Sequence, residues 1–111
     1  MDTKQVLEAL AALAQESRLS IFRLLVQVGP AGMAASKIGE HLGIVPSSLS
    51  FHLKELTRAG LIAPKQDGRF VIYSADVSTM NGVIGFLTEN CCGGVPCSPE
   101  PVCDESVAIQ S

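Results

Sequence analysis

Apolar positions recur three and four apart at the start of the chain. Val6, Leu7, Leu10 and Leu13 predict an amphipathic helix of about three turns. A second helix is predicted over Glu16–Val28, where Leu19, Phe22 and Leu25 join Ile21, Leu24 and Val28 in an apolar surface wide enough to be buried on most sides. Gly29-Pro30-Ala31-Gly32 ends it, because Gly and Pro interrupt the helical ladder. Two short helices with a tight turn between them follow. The first covers Ala35–Leu42, with Ile38 and Leu42 inward, and Gly43 suits the left-handed residue at its end. Pro46 fits the first turn of the next helix, which runs to about Ala59 on a buried stripe of Leu49, Leu53 and Leu56. Gly60 closes it. Leu61–Gln66 and Arg69–Ser74 read as two strands around Asp67-Gly68, and Pro64 places the first of them at an edge. A last helix is predicted over Val77–Asn90, with Met80, Ile84 and Leu87 at helical spacing and Val83 beside them.

The expected fold is therefore mainly α with a β-hairpin, in the order α-α-α-α-β-β-α. Residues 1–90 make one domain and residues 91–111 a coil or tail. A chain of 111 residues fits one domain with a modest core, which makes a partner subunit plausible. The core must be aliphatic, since there is no Trp and only one Tyr and four Phe. No apolar run reaches the roughly 18 residues of a membrane span, and Met1-Asp2-Thr3-Lys4 does not open a secretory signal. A soluble cytoplasmic protein with no membrane partner is expected.

Net charge is −3, which at first argues against nucleic acid. Its distribution does not. Ser36–Ser74 carries five basic residues against three acidic ones, whereas five acidic and no basic residues stand from Ala75 onward. The middle of the chain is the part that can face phosphate.

Helix, turn, helix and hairpin in that order form a winged helix-turn-helix, predicted to be dimeric. Its second helix needs an apolar anchor on one side and short polar groups toward the major groove. Ser47, Ser48 and Ser50 provide hydroxyls that admit the backbone to base edges, although serines at a helix start also serve as caps. Lys54 and Arg58 are placed to reach phosphate, and Lys65 and Arg69 flank the wing turn. His52 lies close to the buried stripe and is either a DNA contact or a hydrogen-bonded structural histidine.

The run Ser48-Leu49-Ser50-Phe51-His52-Leu53-Lys54-Glu55-Leu56-Thr57-Arg58-Ala59-Gly60-Leu61-Ile62 closely resembles the recognition helix of the ArsR/SmtB family of metal-responsive repressors. Asp67-Gly68-Arg69-Phe70-Val71-Ile72-Tyr73 looks like that family's wing, and Ser17–Leu25 like its second helix. The resemblance spans about residues 4–90. It implies a homodimer joined by the first and last helices, which binds an inverted repeat in double-stranded operator DNA and is released by an effector.

Family members place their sensor sites differently. The Cys-x-Cys of the best-known arsenic repressors has no counterpart in Ala35–Leu42, and the Asp and His pairs of the zinc sensors have none in Val77–Asn90. All four cysteines, Cys91, Cys92, Cys97 and Cys103, lie in the last fifth of the chain. In a reducing compartment such a cluster reads as a metal site or a redox switch rather than a disulfide framework. Leu87–Cys92 followed by Cys97 resembles an arsenic-repressor subgroup with three thiolates after the last helix. Soft thiolates select thiophilic ions, and As(III) or Sb(III) favours three sulfurs in a pyramid. Neighbours on a helix diverge by about 100°, so Cys91 and Cys92 converge only if the helix unwinds. Gly93 and Gly94 permit that, Cys97 returns as third ligand, and Cys103 is a spare or a substitute.

Alternatives stay open: a zinc, cadmium or lead site of four thiolates, a thiol redox switch, an idle tail, or methylated arsenicals on two cysteines. An enzyme is not expected, because a thiol-based arsenate reductase needs an arginine near its cysteine and none stands there.

Overall fold

The computed structural model describes residues 1–89. Helix α1 covers Thr3–Leu13, α2 Glu16–Val28, α3 Ala35–Leu42, α4 Pro46–Arg58 and α5 Val77–Leu87; strands are β1 Met33–Ala34, β2 Ile62–Asp67 and β3 Phe70–Ala75. The order expected from the pattern holds, with β1 as an addition between α2 and α3. The three strands form one antiparallel sheet in the order β1-β3-β2. Met33 pairs with Tyr73 and Ala34 with Ile72, so β1 ties the start of the helix-turn-helix to the wing. Pro64 sits on β2, an edge strand that needs no donor on its outer side.

Local chemistry sets most boundaries. Asp2 caps α1 in a reciprocal capping box: its Oδ1 accepts from the Gln5 N–H at 2.8 Å, and the Gln5 side chain accepts from the Asp2 N–H at 2.9 Å. Gln15 caps α2 by accepting from the Arg18 N–H at 2.8 Å. Gly43, at φ 68°, turns the chain between α3 and α4. Asp76 caps α5.

The core is a single cluster in which Ile21, Leu25, Ile38, Leu56 and Leu61 are fully enclosed. Each such side chain contributes about 1.5–3 kcal/mol by leaving water. The expected stripes of α3 and α4 are in place: Ile38, Leu49, Leu53 and Leu56 are buried and Leu42 is half-buried.

Several expectations need correction. In α1 the buried face is Val6, Ala9 and Ala12, while Leu7 and Leu10 point outward, Leu7 being 60 % exposed. Small residues let α1 lie close to α2, α4 and α5, so its leucines occupy the free side. Likewise α5 buries Val83 and half-buries Met80 and Phe86, leaving Ile84 and Leu87 exposed. It also stops at Leu87 rather than at Asn90. Thr88 leaves helical geometry, and its hydroxyl donates to the Ile84 carbonyl at 2.7 Å. Leu19, expected on the buried surface of α2, is exposed.

The hairpin is shifted by one residue. Asp67 pairs with Phe70, so the two-residue loop is Gly68-Arg69 rather than Asp67-Gly68. Gly68 takes φ 63° at the first central position, where a two-residue turn needs a residue free to adopt positive φ.

Candidate nucleic-acid interface

Helices α3 and α4 are held at close range by a glycine. A Cβ on Gly39 would stand 3.1 Å from both the Ile44 carbonyl oxygen and Leu49 Cδ2. With Leu49, Leu53 and Leu56 against the core, the opposite face of α4 is fixed outward. Ser47, Phe51, Lys54 and Arg58 follow one another four, three and four residues apart, which places them on one stripe, with Ser50 beside it. All five are exposed.

The serines are not caps. The N-cap of α4 is Val45, which makes no side-chain bond, and Pro46 opens the helix. Ser47 and Ser50 stand on or beside the outward stripe, and Ser48 is exposed on the flank. Lys54 is exposed and free of the ion pairs found among the described residues. Arg58 is not: its guanidinium donates to Glu55 Oε1 at 2.6 Å. That bond raises the Arg58 pKa and holds the Glu55 carboxyl below its ordinary value. To reach a phosphate, Arg58 must leave or share this partner.

His52 is half-buried on the flank between the outward stripe and the core. Its Nδ1 is enclosed with no hydrogen-bond partner, so the structure does not supply the bond expected of a structural histidine. Burial first, and then the charge of Arg18, push its pKa below the ordinary 6.5.

The wing carries the remaining basic residues. Lys65 is exposed on β2 opposite Ile72, and Arg69 occupies the loop at the tip. The Gln66 side chain donates to the Gly68 carbonyl at 2.8 Å and braces that loop. Between α4 and the wing runs a groove of about 510 Å³, lined in part by Ser50, Lys54, Arg58, Pro64 and Tyr73. Lys54 lines this groove with Pro64 and Tyr73, whereas Lys65, paired with Ile72, lies on the other face of the wing and Arg69 at its tip.

Two residues of this surface escaped the sequence reading. Phe51 lies in the outward stripe, 57 % exposed, and Arg18 reaches it from the first turn of α2. Projecting α4 as a helix would have shown Phe51 opposite the leucines; no sequence signal tied Arg18 to it. Cys91, Cys92, Cys97 and Cys103 lie outside the described residues, as does the segment 91–111. Among the described residues no group of three or more His, Cys, Asp or Glu is placed to hold a metal ion, and no helix is long and apolar enough to cross a membrane.

An outward polar and basic helix face, a preceding helix packed at a tight turn and a basic two-stranded wing define a winged helix-turn-helix DNA-binding protein. A helix-turn-helix domain family matches residues 13–64. The chain is 38 % identical over 77 residues to an uncharacterised HTH-type transcriptional regulator of Bacillus subtilis, YceK, covering 68 % of this chain and 76 % of that one. Its fold is similar to that of an ArsR-like transcriptional regulator from Rhodococcus sp. RHA1 (TM-score 0.68, 27 % identity, 76 % of each chain). It is also similar to a homodimeric winged helix-turn-helix domain from Mycobacterium bovis, described as a possible ArsR-family regulator (TM-score 0.63, 24 % identity, 86 % of this chain and 88 % of that one). The chain belongs to the helix-turn-helix transcriptional regulators of the ArsR family, which bind DNA.

Proposed function

We propose that the protein is a homodimeric repressor that leaves an inverted-repeat operator when As(III) or Sb(III) binds thiolates of Cys91, Cys92 and Cys97, with Cys103 as substitute or spare. The observation that carries this reading is the position of the cysteines: the first follows the last residue of α5 by four places, and all four fall within 13 positions. Thiolate donors in that number suit a thiophilic ion.

The dimer reading rests on the surface of α1 and α5. Leu7 and Leu10 on α1, with Ile84 and Leu87 on α5, are exposed apolar side chains on two helices that pack together. Such a surface favours association with a second copy. The related domain from Mycobacterium bovis is homodimeric. In the dimer two copies of α4 enter successive major grooves about one DNA turn apart. Ser47, Ser48 and Ser50 approach base edges, with His52 on the flank. Lys54 and Arg58 meet phosphate, and Lys65 and Arg69 meet backbone or minor groove at the wing.

Fluorescence anisotropy of an operator duplex with reduced, full-length protein tests the switch. Titration with As(III) or Sb(III) is expected to release the DNA, and Cys92→Ser to bind DNA normally without releasing it. Release of the C92S variant at the wild-type As(III) concentration refutes the thiolate site. Release by peroxide alone makes the protein a thiol redox sensor; release by Zn(II) alone makes it a soft-metal sensor.

A further inference from the structure

The outward stripe of α4 holds one side chain that can neither donate nor accept a hydrogen bond. Phe51 stands between Ser47 and Lys54 on the face turned away from the leucine anchor, more than half exposed. A phenylalanine at such a position loses free energy against water unless something apolar covers it. Its ring is not loose. The Arg18 guanidinium carbon lies 6.0 Å from the ring centroid, and the His52 ring meets it edge-on at 5.7 Å and 62°. Arg18 of α2 and His52, the next residue of α4, thus flank the ring.

The apolar group that a major groove offers at base-edge depth is the C5-methyl of thymine. We propose that Phe51 is a specificity-determining residue that packs on a thymine methyl in each half-site, with Arg18 as the positioning residue that holds its ring. The proposal rests on the reading that α4 enters the major groove, and it adds what this chain selects there. Hydroxyls at Ser47 and Ser50 accept several bases, since each can donate or accept. Phe51 accepts one feature only, and cytosine, whose C5 carries hydrogen, lacks it.

Full-length protein is first used to select binding sequences from a random duplex library. In the selected duplex each thymine is then replaced singly by deoxyuridine, which removes the methyl and leaves the base pair intact. One position per half-site is expected to lose about fourfold in affinity, the worth of one buried methyl-sized group. Phe51→Ala should bind more weakly overall and show no deoxyuridine penalty there, whereas Phe51→Leu, still apolar, should keep one. Indifference of the wild type to deoxyuridine at every position overturns the proposal while leaving the major-groove reading intact. So does a Phe51→Ala variant with the wild-type penalty. Failure to enrich any sequence overturns both.

Discussion

Gly32 lies tight against β3 just before β1, and replacing it tests that junction. The residue adopts φ 73°, and a Cβ added there would stand 2.6 Å from the Tyr73 carbonyl oxygen and 2.8 Å from Ile72 Cγ2. Both neighbours belong to β3, and one of them is backbone that cannot rotate away. Gly32→Ala therefore carries two costs. Positive φ with a Cβ costs about 1–2 kcal/mol. Overpacking against β3 adds about 1–3 kcal/mol. Gly43→Ala is the matched control, with φ 68° and nothing within 4 Å of the added carbon, so it bears the first cost alone. Urea unfolding of both variants at one protein concentration should place Gly32→Ala below Gly43→Ala by about 1–3 kcal/mol, a large share of the roughly 5–15 kcal/mol that holds a domain of this size. Fixed concentration matters because the proposed dimerisation would feed into apparent stability. Equal midpoints and slopes for the two variants would refute the reasoning, since the close approach to Tyr73 would then constrain nothing.

Two further outcomes concern titratable groups. Asp76 caps α5 through the Thr79 N–H at 3.2 Å and accepts from the Ser78 hydroxyl at 2.5 Å; the Ser78 bond, more than any other, holds its pKa below the ordinary 3.8. Asp76→Ala should cost about 1 kcal/mol at neutral pH, and the difference from wild type should shrink as acid protonates the carboxyl, below about pH 4. An undiminished difference there rules out the charged cap. The lowered pKa of His52 means that the unfolded chain takes up its proton first as pH falls. Stability should therefore drop as pH passes below 6.5, the ordinary histidine value, and His52→Gln should flatten that part of the profile. Identical pH profiles for variant and wild type would remove His52 as the cause.

Much of the architecture is written in local pattern, and the exceptions have physical reasons. The bounds of α2 follow from the Gln15 cap and the Gly29-Pro30 that ends it, and the end of α3 from the left-handed Gly43, all of which act within a few residues. Strand β1 has no such signal. Two residues carry no period, and Met33 and Ala34 become a strand only because Gly32 lets the backbone meet Tyr73. The faces of α1 and α5 were misassigned for a related reason: both helices are apolar on two sides, and alternation cannot say which side its own core takes. In α1 the small residues went inward and the leucines outward. At the interface, sorting residues by charge and hydrogen-bonding capacity found the serines, lysines and arginines. The same sorting passed over Phe51, because an aromatic in a helical run reads as core until the helix is given a register. The ion pair between Arg58 and Glu55 is legible as an i, i+3 spacing, and it competes with a phosphate contact.

Helix α1 has a position that bears on how a distant effector can act on DNA. Its inner face packs against α4 and α5 together, and Val6, Ala9 and Ala12 belong to the same cluster as Leu56 of the recognition helix and Val83 of the last helix. Its outer face carries Leu7 and Leu10, and α5 likewise leaves Ile84 and Leu87 uncovered. On the proposed function, a ligand that changes the end of α5 therefore changes the seam between subunits and the seat of α4 through one rigid body. Small residues make that body stiff: alanines pack with little rotamer freedom, so a shift of α5 is passed on rather than absorbed. Because coupling is reciprocal, the operator must weaken effector binding by the same factor that the effector weakens DNA binding, typically about 5–150-fold. Enlarging Ala9, which is fully buried, to valine should therefore alter that factor even though it touches neither DNA nor cysteine. An Ala9→Val protein that keeps its fold and the full wild-type coupling would show that the signal travels by another route, directly across the dimer seam.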